Sequence, residues 1–162
     1  MERELQFVLL GSGERVHMER FAKLRDRYPG KVSINLDFDE DLSRRIYAGS
    51  DIFLMPSHYE PCGLGQLIAL RYGSVPVVRR TGGLADTVFD PAENPRQGNG
   101  FVFDEPSAAD LLTALDRALR LYADRPAWLS LASRAMSSDN SWTHSAQRYI
   151  KCYRMIREVK NG

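Results

Sequence analysis

What most limits the fold of this chain is an alternation: short apolar runs follow amphipathic stretches, and glycine or proline marks the junctions. Leu5-Gln6-Phe7-Val8-Leu9-Leu10 is closed by Gly11-Ser12-Gly13, as a buried parallel strand entering a turn would be. From Glu14 to about Tyr28, Val16, Phe21 and Leu24 recur among charges, and Pro29-Gly30 stops that helix. Val32 to Leu36 is the next strand. Asp39-Glu40-Asp41 puts acids at the start of a helix that runs through Leu42, Ile46 and Tyr47 to Gly49. Asp51 to Met55 is a third strand, ended by Pro56-Ser57, and Cys62 to Tyr72 is a helix with Gly73 as its C-cap. Val75-Pro76-Val77-Val78 and Gly100-Phe101-Val102-Phe103 are the fourth and fifth strands. Pro76 is an objection to the fourth, because proline removes a ladder donor.

Strands alternating with helices imply an α/β fold with a doubly wound parallel sheet, and ligands of such sheets bind beyond the carboxyl ends of the strands. After Phe103 the pattern becomes wholly helical, with helices expected over about Ser107–Tyr122, Pro126–Ser137 and Ser141–Glu158. The one extended polar loop is Pro91 to Asn99. A length of 162 residues with 43% hydrophobic content suits one domain over 1–162, with 107–158 forming a helical tail.

Charge and cysteine content narrow the function. The 22 basic and 21 acidic residues nearly cancel, so neither nucleic acid nor an anionic membrane is an expected partner. No apolar run approaches a membrane span, and Met1-Glu2-Arg3-Glu4 lacks a signal-peptide core. A cytoplasmic setting is expected, or a plastid if a transit peptide has been removed. Cys62 and Cys152 are the two cysteines, too few for a disulfide framework, and with His17, His58 and His144 they make no metal motif.

Three loops could carry chemistry. Gly11 and Gly13 follow the first strand, but the third glycine of a dinucleotide fingerprint would fall at Val16, which disfavours a nicotinamide-dependent dehydrogenase. These glycines read as a tight strand-to-helix turn, with close approach to a ligand as a second role. In the segment from Pro56 to Gln66, a carboxylate follows a strand, and proline and glycine precede a helix start whose free amides suit a phosphate. Pro61 keeps Glu60 out of the helical region. Glu60 is then either a helix-capping acid or a group that meets the hydroxyls or developing positive charge of a sugar. Thr81-Gly82-Gly83 forms a second glycine turn after the fourth strand, and two such loops at one end of a sheet suggest a ligand cleft. Arg79 and Arg80 just before it either face phosphate or form a solvated pair.

The string Glu60-Pro61-Cys62-Gly63-Leu64-Gly65-Gln66, followed by Ala69 to Gly73, Val75-Pro76-Val77 and Arg80 to Val88, resembles bacterial glycogen synthase and plant starch synthase. The resemblance begins at Phe7 to Gly13, passes Arg45 to Asp51 and ends with Ser141-Trp142 and Ala146–Tyr153. It implies a Rossmann-like C-terminal half of a GT-B glycosyltransferase. Such an enzyme transfers glucose from ADP-glucose, or UDP-glucose in some members, to the non-reducing end of an α-1,4-glucan with retention and with no metal or other cofactor. By the same resemblance Glu60 is the acid needed for transfer, and Phe38 stacks on the base. Gly63, Leu64 and Gly65 are the helix start that meets the diphosphate, and Cys62 lines the pocket. Gln66, Thr81, Gly82 and Gly83, together with Gly11 and Gly13, complete the expected nucleotide-sugar site.

Two features depart from the family pattern, and a third separates its branch from related transferases. Gly65 stands where many members have threonine. Ile68 occupies the place of a second glutamate in related transferases, as in the glycogen and starch branch. An upstream arginine and lysine and an N-terminal domain, which the resemblance implies, are not among these residues, so the chain alone is expected not to transfer glucose. The alternative is a stand-alone nucleotide- or glucan-binding module without catalysis. By the same resemblance the last helix should cross toward the missing domain, leaving part of the face formed by Trp142, Tyr149, Tyr153 and Ile156 without its partner.

Overall fold

Phe7–Leu10 forms strand β1 and pairs in parallel with β2, Val32–Asn35, in the register Phe7 to Val32 and Leu10 to Asn35. These strands, with helix α1 at Arg15–Arg27 and α2 at Glu40–Gly49, make a first compact unit, Met1–Ser50. The computed structural model describes residues 3–161. In the first unit Val32 and Ile34 are buried, and the Phe7 ring stacks on Phe21 at 6.4 Å between centroids. Burial also pushes the Tyr47 phenol above its ordinary pKa by disfavouring the charged form.

The second unit, Asp51–Gly162, is built on a parallel sheet of order β3-β4-β5. Its strands are β3 at Ile52–Met55, β4 at Val75–Arg79 and β5 at Phe101–Phe103. Helix α3 at Gly65–Tyr72 joins β3 to β4, and the short α4 at Gly82–Thr87 follows β4. The tail forms α5 at Ala108–Ala123, α6 at Arg125–Met136 and α7 at Trp142–Asn161. Parallel strands flanked by helices bear out the α/β expectation, as does the helical tail.

Strand alternation divides the core of this unit in two. Val75, Val77, Phe101 and Phe103 face Ala114 and Ala118 of α5 and Trp128 and Leu131 of α6. Val78 and Val102 point the other way, onto Leu84 and Val88. Caps fix where the tail helices start: Ser107 accepts from the Asp110 amide at 3.1 Å, and Asp124 accepts from the Ala127 amide at 3.2 Å. The proline objection is met by the register. The Val75 amide donates toward β3, to Asp51 O at 2.8 Å, so by alternation the donor that Pro76 lacks would face the β5 side. Pairing with β5 begins only at Val77, opposite Phe101, so no ladder bond is lost.

The long loop after α4 is held by one buried acid. Asp90 accepts from the Val102 amide at 2.9 Å and from Arg117 Nη1 at 2.8 Å, and Asn99 accepts from the Phe89 amide at 2.8 Å. A buried carboxylate needs this degree of pairing to remain inside.

Candidate functional site

Helix α3 begins at Gly65, three residues later than the pattern of apolar residues predicts. The reason lies in Gly63, whose φ of 75° takes the backbone into the left-handed region and out of the helix. In a continuous helix the Cys62 and Gly63 carbonyls would accept from amides four residues on. Here both accept from the Gln66 side chain, with Nε2 at 3.1 Å from Cys62 O and 3.0 Å from Gly63 O. Glu60 therefore does not cap α3: the N-cap position is Leu64, which makes no side-chain capping bond.

The loop from Ser57 to Leu64 is held by its carbonyls. Arg79 Nε donates to Ser57 O at 3.0 Å, and Arg79 Nη2 donates to His58 O. The Gly83 amide donates to Glu60 O at 3.0 Å. Glycine is required where these segments meet. A Cβ on Gly82 would lie 2.1 Å from Glu60 O, and one on Gly83 would lie 2.1 Å from Cys62 O. The two glycine loops expected to share one end of the sheet are thus in direct contact, through the backbone of Glu60 to Cys62 and that of Gly82 and Gly83.

With these carbonyls engaged, the loop is left with unengaged donors and one acid. Among the described residues the Gly63 and Leu64 amides donate to no protein acceptor, and the Glu60 carboxylate makes no hydrogen bond or ion pair. Glu60 is half-buried, Cys62 and Leu64 are exposed, and Gly63 is buried. Gln66 is fully buried, so its part in the site runs through the loop it holds. Thr81 is half-buried and Gly82 exposed.

The remaining predicted residues lie in the first unit. Gly11 and Gly13 follow β1, and the Gly11 amide donates to Asn35 O at 3.0 Å. Phe38 stands between β2 and α2 with 86% of its surface exposed. It lines an open groove of about 620 Å³ with Leu10, Asn35 and Leu42, so it is no core phenylalanine. Asp37, Asp39, Glu40 and Asp41 also line this groove. Four carboxylates repel phosphate but offer acceptors to a base or ribose hydroxyls, which suits a stacked nucleoside.

Sequence reasoning left Arg79 and Arg80 open and did not single out Thr87. Arg79 is a clamp on loop carbonyls. Arg80 pairs with Glu93 at 2.6 Å and Asp104 at 2.7 Å, bonds that raise its pKa further. Thr87 donates to Gly83 O at 2.7 Å and receives Gln66 Nε2 at 3.2 Å. Its four-residue spacing from Gly83 is the one signal that could have marked it, since threonine back-bonds at that distance along a helix.

Residues 1–134 match the family described as glycosyl transferases group 1. The chain belongs to this family. It is 58% identical over 162 residues to the glycogen synthase of Syntrophotalea carbinolica, covering all of this chain and 34% of that protein. It is 51% identical to glycogen synthase 2 of Geobacter sulfurreducens, covering 99% of this chain and 33% of the relative. Among solved structures, the catalytic domain of starch synthase IV from Arabidopsis thaliana bound to ADP and acarbose superposes with a TM-score of 0.83 at 44% identity. That match covers 93% of this chain and 32% of the other. The chain thus spans about a third of the length of the relatives it matches, and its α/β fold is that of the matching part of GT-B glycosyltransferases.

Proposed function

We propose that this chain is the donor-binding part of a glucosyltransferase that moves glucose from ADP-glucose to the non-reducing end of an α-1,4-glucan. The observation that carries the reading is the clamped Glu60–Leu64 loop, which pairs free amides with an unengaged carboxylate. Negative charge gathers on a nucleoside diphosphate as it departs, and preoriented amides offset it without reorganising. Glu60 would orient the sugar's hydroxyls or favour positive charge at the anomeric carbon. Phe38 would stack on adenine, and Thr81 and Gly82 would border the sugar. The likeness to a starch synthase bound to ADP supports ADP-glucose as the donor. The reaction as proposed draws on no metal or organic cofactor.

The partner that completes the enzyme is an N-terminal half holding the acceptor glucan and further cationic contacts to the diphosphate. Among the described residues no helix is long and apolar enough to cross a membrane. We place the protein in the cytoplasm.

The test is incorporation of label from radiolabelled ADP-glucose into a glycogen primer. In the complete protein Glu60→Gln should lower turnover by roughly 10²–10³-fold while donor affinity changes little, as for a group used mainly in the transition state. This chain by itself should incorporate nothing, because positioning of the acceptor is lost. Near-normal turnover in Glu60→Gln would reduce Glu60 to a structural role. In the same protein Phe38→Ala should weaken ADP binding by about 1–3 kcal/mol by calorimetry. Unchanged affinity would remove the stacking role.

A further inference from the structure

We propose that Gln66 and Thr87 are positioning residues for the donor's diphosphate: together they set the direction in which the Gly63 and Leu64 amides face. The inference rests on the donor-binding reading above and assigns its grip on the diphosphate to two side chains that need not touch the ligand.

The geometry leaves one orientation for Gln66. Its Nε2 has three oxygen neighbours: Cys62 O at 3.1 Å, Gly63 O at 3.0 Å and Thr87 Oγ1 at 3.2 Å. Two of these are carbonyls, which can only accept, so the NH2 group must face them and Oε1 must face away. The Thr87 hydroxyl spends its proton on Gly83 O, so its lone pairs are what meet Nε2. Threonine thereby ties the amide to the second glycine turn.

A trans peptide points its N–H opposite to its C=O, and no cis bond occurs among the described residues. Holding the Cys62 and Gly63 carbonyls toward Gln66 therefore turns the Gly63 and Leu64 N–H groups away from it. Successive amides facing one way form a concavity for an anion.

Two observations set this apart from simple packing. Gln66 Oε1 is fully buried and has no hydrogen-bond partner among the described residues, a penalty that an apolar side chain of similar size would avoid. A Cβ on Gly63 would lie 2.4 Å from that same oxygen, so the close approach of Gln66 to the loop depends on glycine there. A costly buried amide kept against the left-handed Gly63 is what a geometric role requires.

The experiment follows backbone amides of this 162-residue chain by ¹⁵N-resolved NMR as ADP, and separately adenosine, is added. ADP should shift the Gly63 and Leu64 signals and adenosine should not, since it lacks the diphosphate. In Gln66→Met and Thr87→Val those two shifts should disappear and the ADP dissociation constant should rise roughly tenfold, the loss of about one good hydrogen bond. The rest of each spectrum should keep its folded pattern, and Thr87→Ser, which retains the hydroxyl, should restore both readouts. Shifts at Gly63 and Leu64 as large in both variants as in the unaltered chain would overturn the proposal. Equal shifts with adenosine would detach these amides from the diphosphate and overturn it too. Loss of the folded spectrum in both variants would overturn positioning in favour of a purely structural role. An unaltered chain blind to ADP would overturn the donor-binding reading itself, a failure distinct from the others.

Discussion

Helices α6 and α7 carry similar apolar spacing and meet opposite fates. Trp128, Leu131 and Ala135 fall on one face of α6 and are 2%, 0% and 1% exposed. Tyr149, Tyr153 and Ile156 fall on one face of α7 and are 61%, 65% and 59% exposed. The difference lies in what stands opposite. The α6 stripe meets β4, β5 and α5, whereas α7 buries none of its large apolar side chains among the described residues. Helical periodicity states which face wants cover, and only tertiary partners supply it. An uncovered face on the last helix was expected in part, and all four of Trp142, Tyr149, Tyr153 and Ile156 are exposed.

The comparison breaks most readily at Leu131. Leu131→Ala should lower the unfolding free energy by about 2–5 kcal/mol, because a fully buried leucine leaves a cavity among Val77, Phe103 and Ala118. Tyr153→Ala should stay within about 0.5 kcal/mol, the range of surface substitutions. Urea unfolding of the two variants measures both. Similar losses would mean that α7 is packed in solution and that the contrast is false.

A second, smaller effect separates the loop from both helices. Gly83→Ala should cost about 1–3 kcal/mol, since the added methyl would fall 2.1 Å from the Cys62 carbonyl, a backbone atom with little freedom to move. Gly13→Ala, where a Cβ meets nothing within 4 Å, is the control and should be nearly silent. Thermal melts of the pair decide it, and equal melting temperatures would show that the loop yields.

These positions also show how far the sequence could be read. Strand and helix order was legible because burial imposes its period on apolar residues, and the tail helices start within one residue of the expected Ser107, Pro126 and Ser141. The start of α3 was not, because no local rule says that Gln66 will take the carbonyls a helix would have used. The pairing of the Glu60 loop with the Gly82-Gly83 turn was expected only as nearness at one end of a sheet. That Arg79 serves carbonyls instead of phosphate depends on Ser57 and His58, more than twenty residues away in sequence, and pair adjacency with Arg80 carries no trace of it.

Removal of α7 sharpens the contrast further. A chain ending at Asn140 should keep the second unit's fold, because the deleted backbone contributes no large apolar side chain to either core cluster. Its melting temperature should fall by no more than about 4 °C, the shift expected for roughly 1 kcal/mol in a domain of this size. Its solubility should improve as the exposed stripe goes. A collapse of the melting transition would place α7 in the core and contradict the exposure of its side chains.

The smallest effect concerns the entry to α7. Asp139 Oδ1 accepts from the Ser141 amide at 3.0 Å, and the Ser141 side chain accepts in turn from the His144 amide at 3.2 Å. Hydrogen bonding from Ser141, side chain first and backbone second, holds the Asp139 carboxyl below its ordinary pKa, with a further small pull from His144. A depressed folded pKa means that the unfolded chain binds the proton more readily, so the stabilising contribution is present above about pH 4 and fades as pH falls through the folded value. The group is exposed, so the effect should be confined to fraying of the first turn. Carbon chemical shifts of Thr143 and Ser145 should report less helix below about pH 4 in the unaltered chain. In Asp139→Asn the same shifts should be flat across that range and start from a lower helicity. Parallel acid titrations in the two proteins would show that Asp139 does not hold the start of α7.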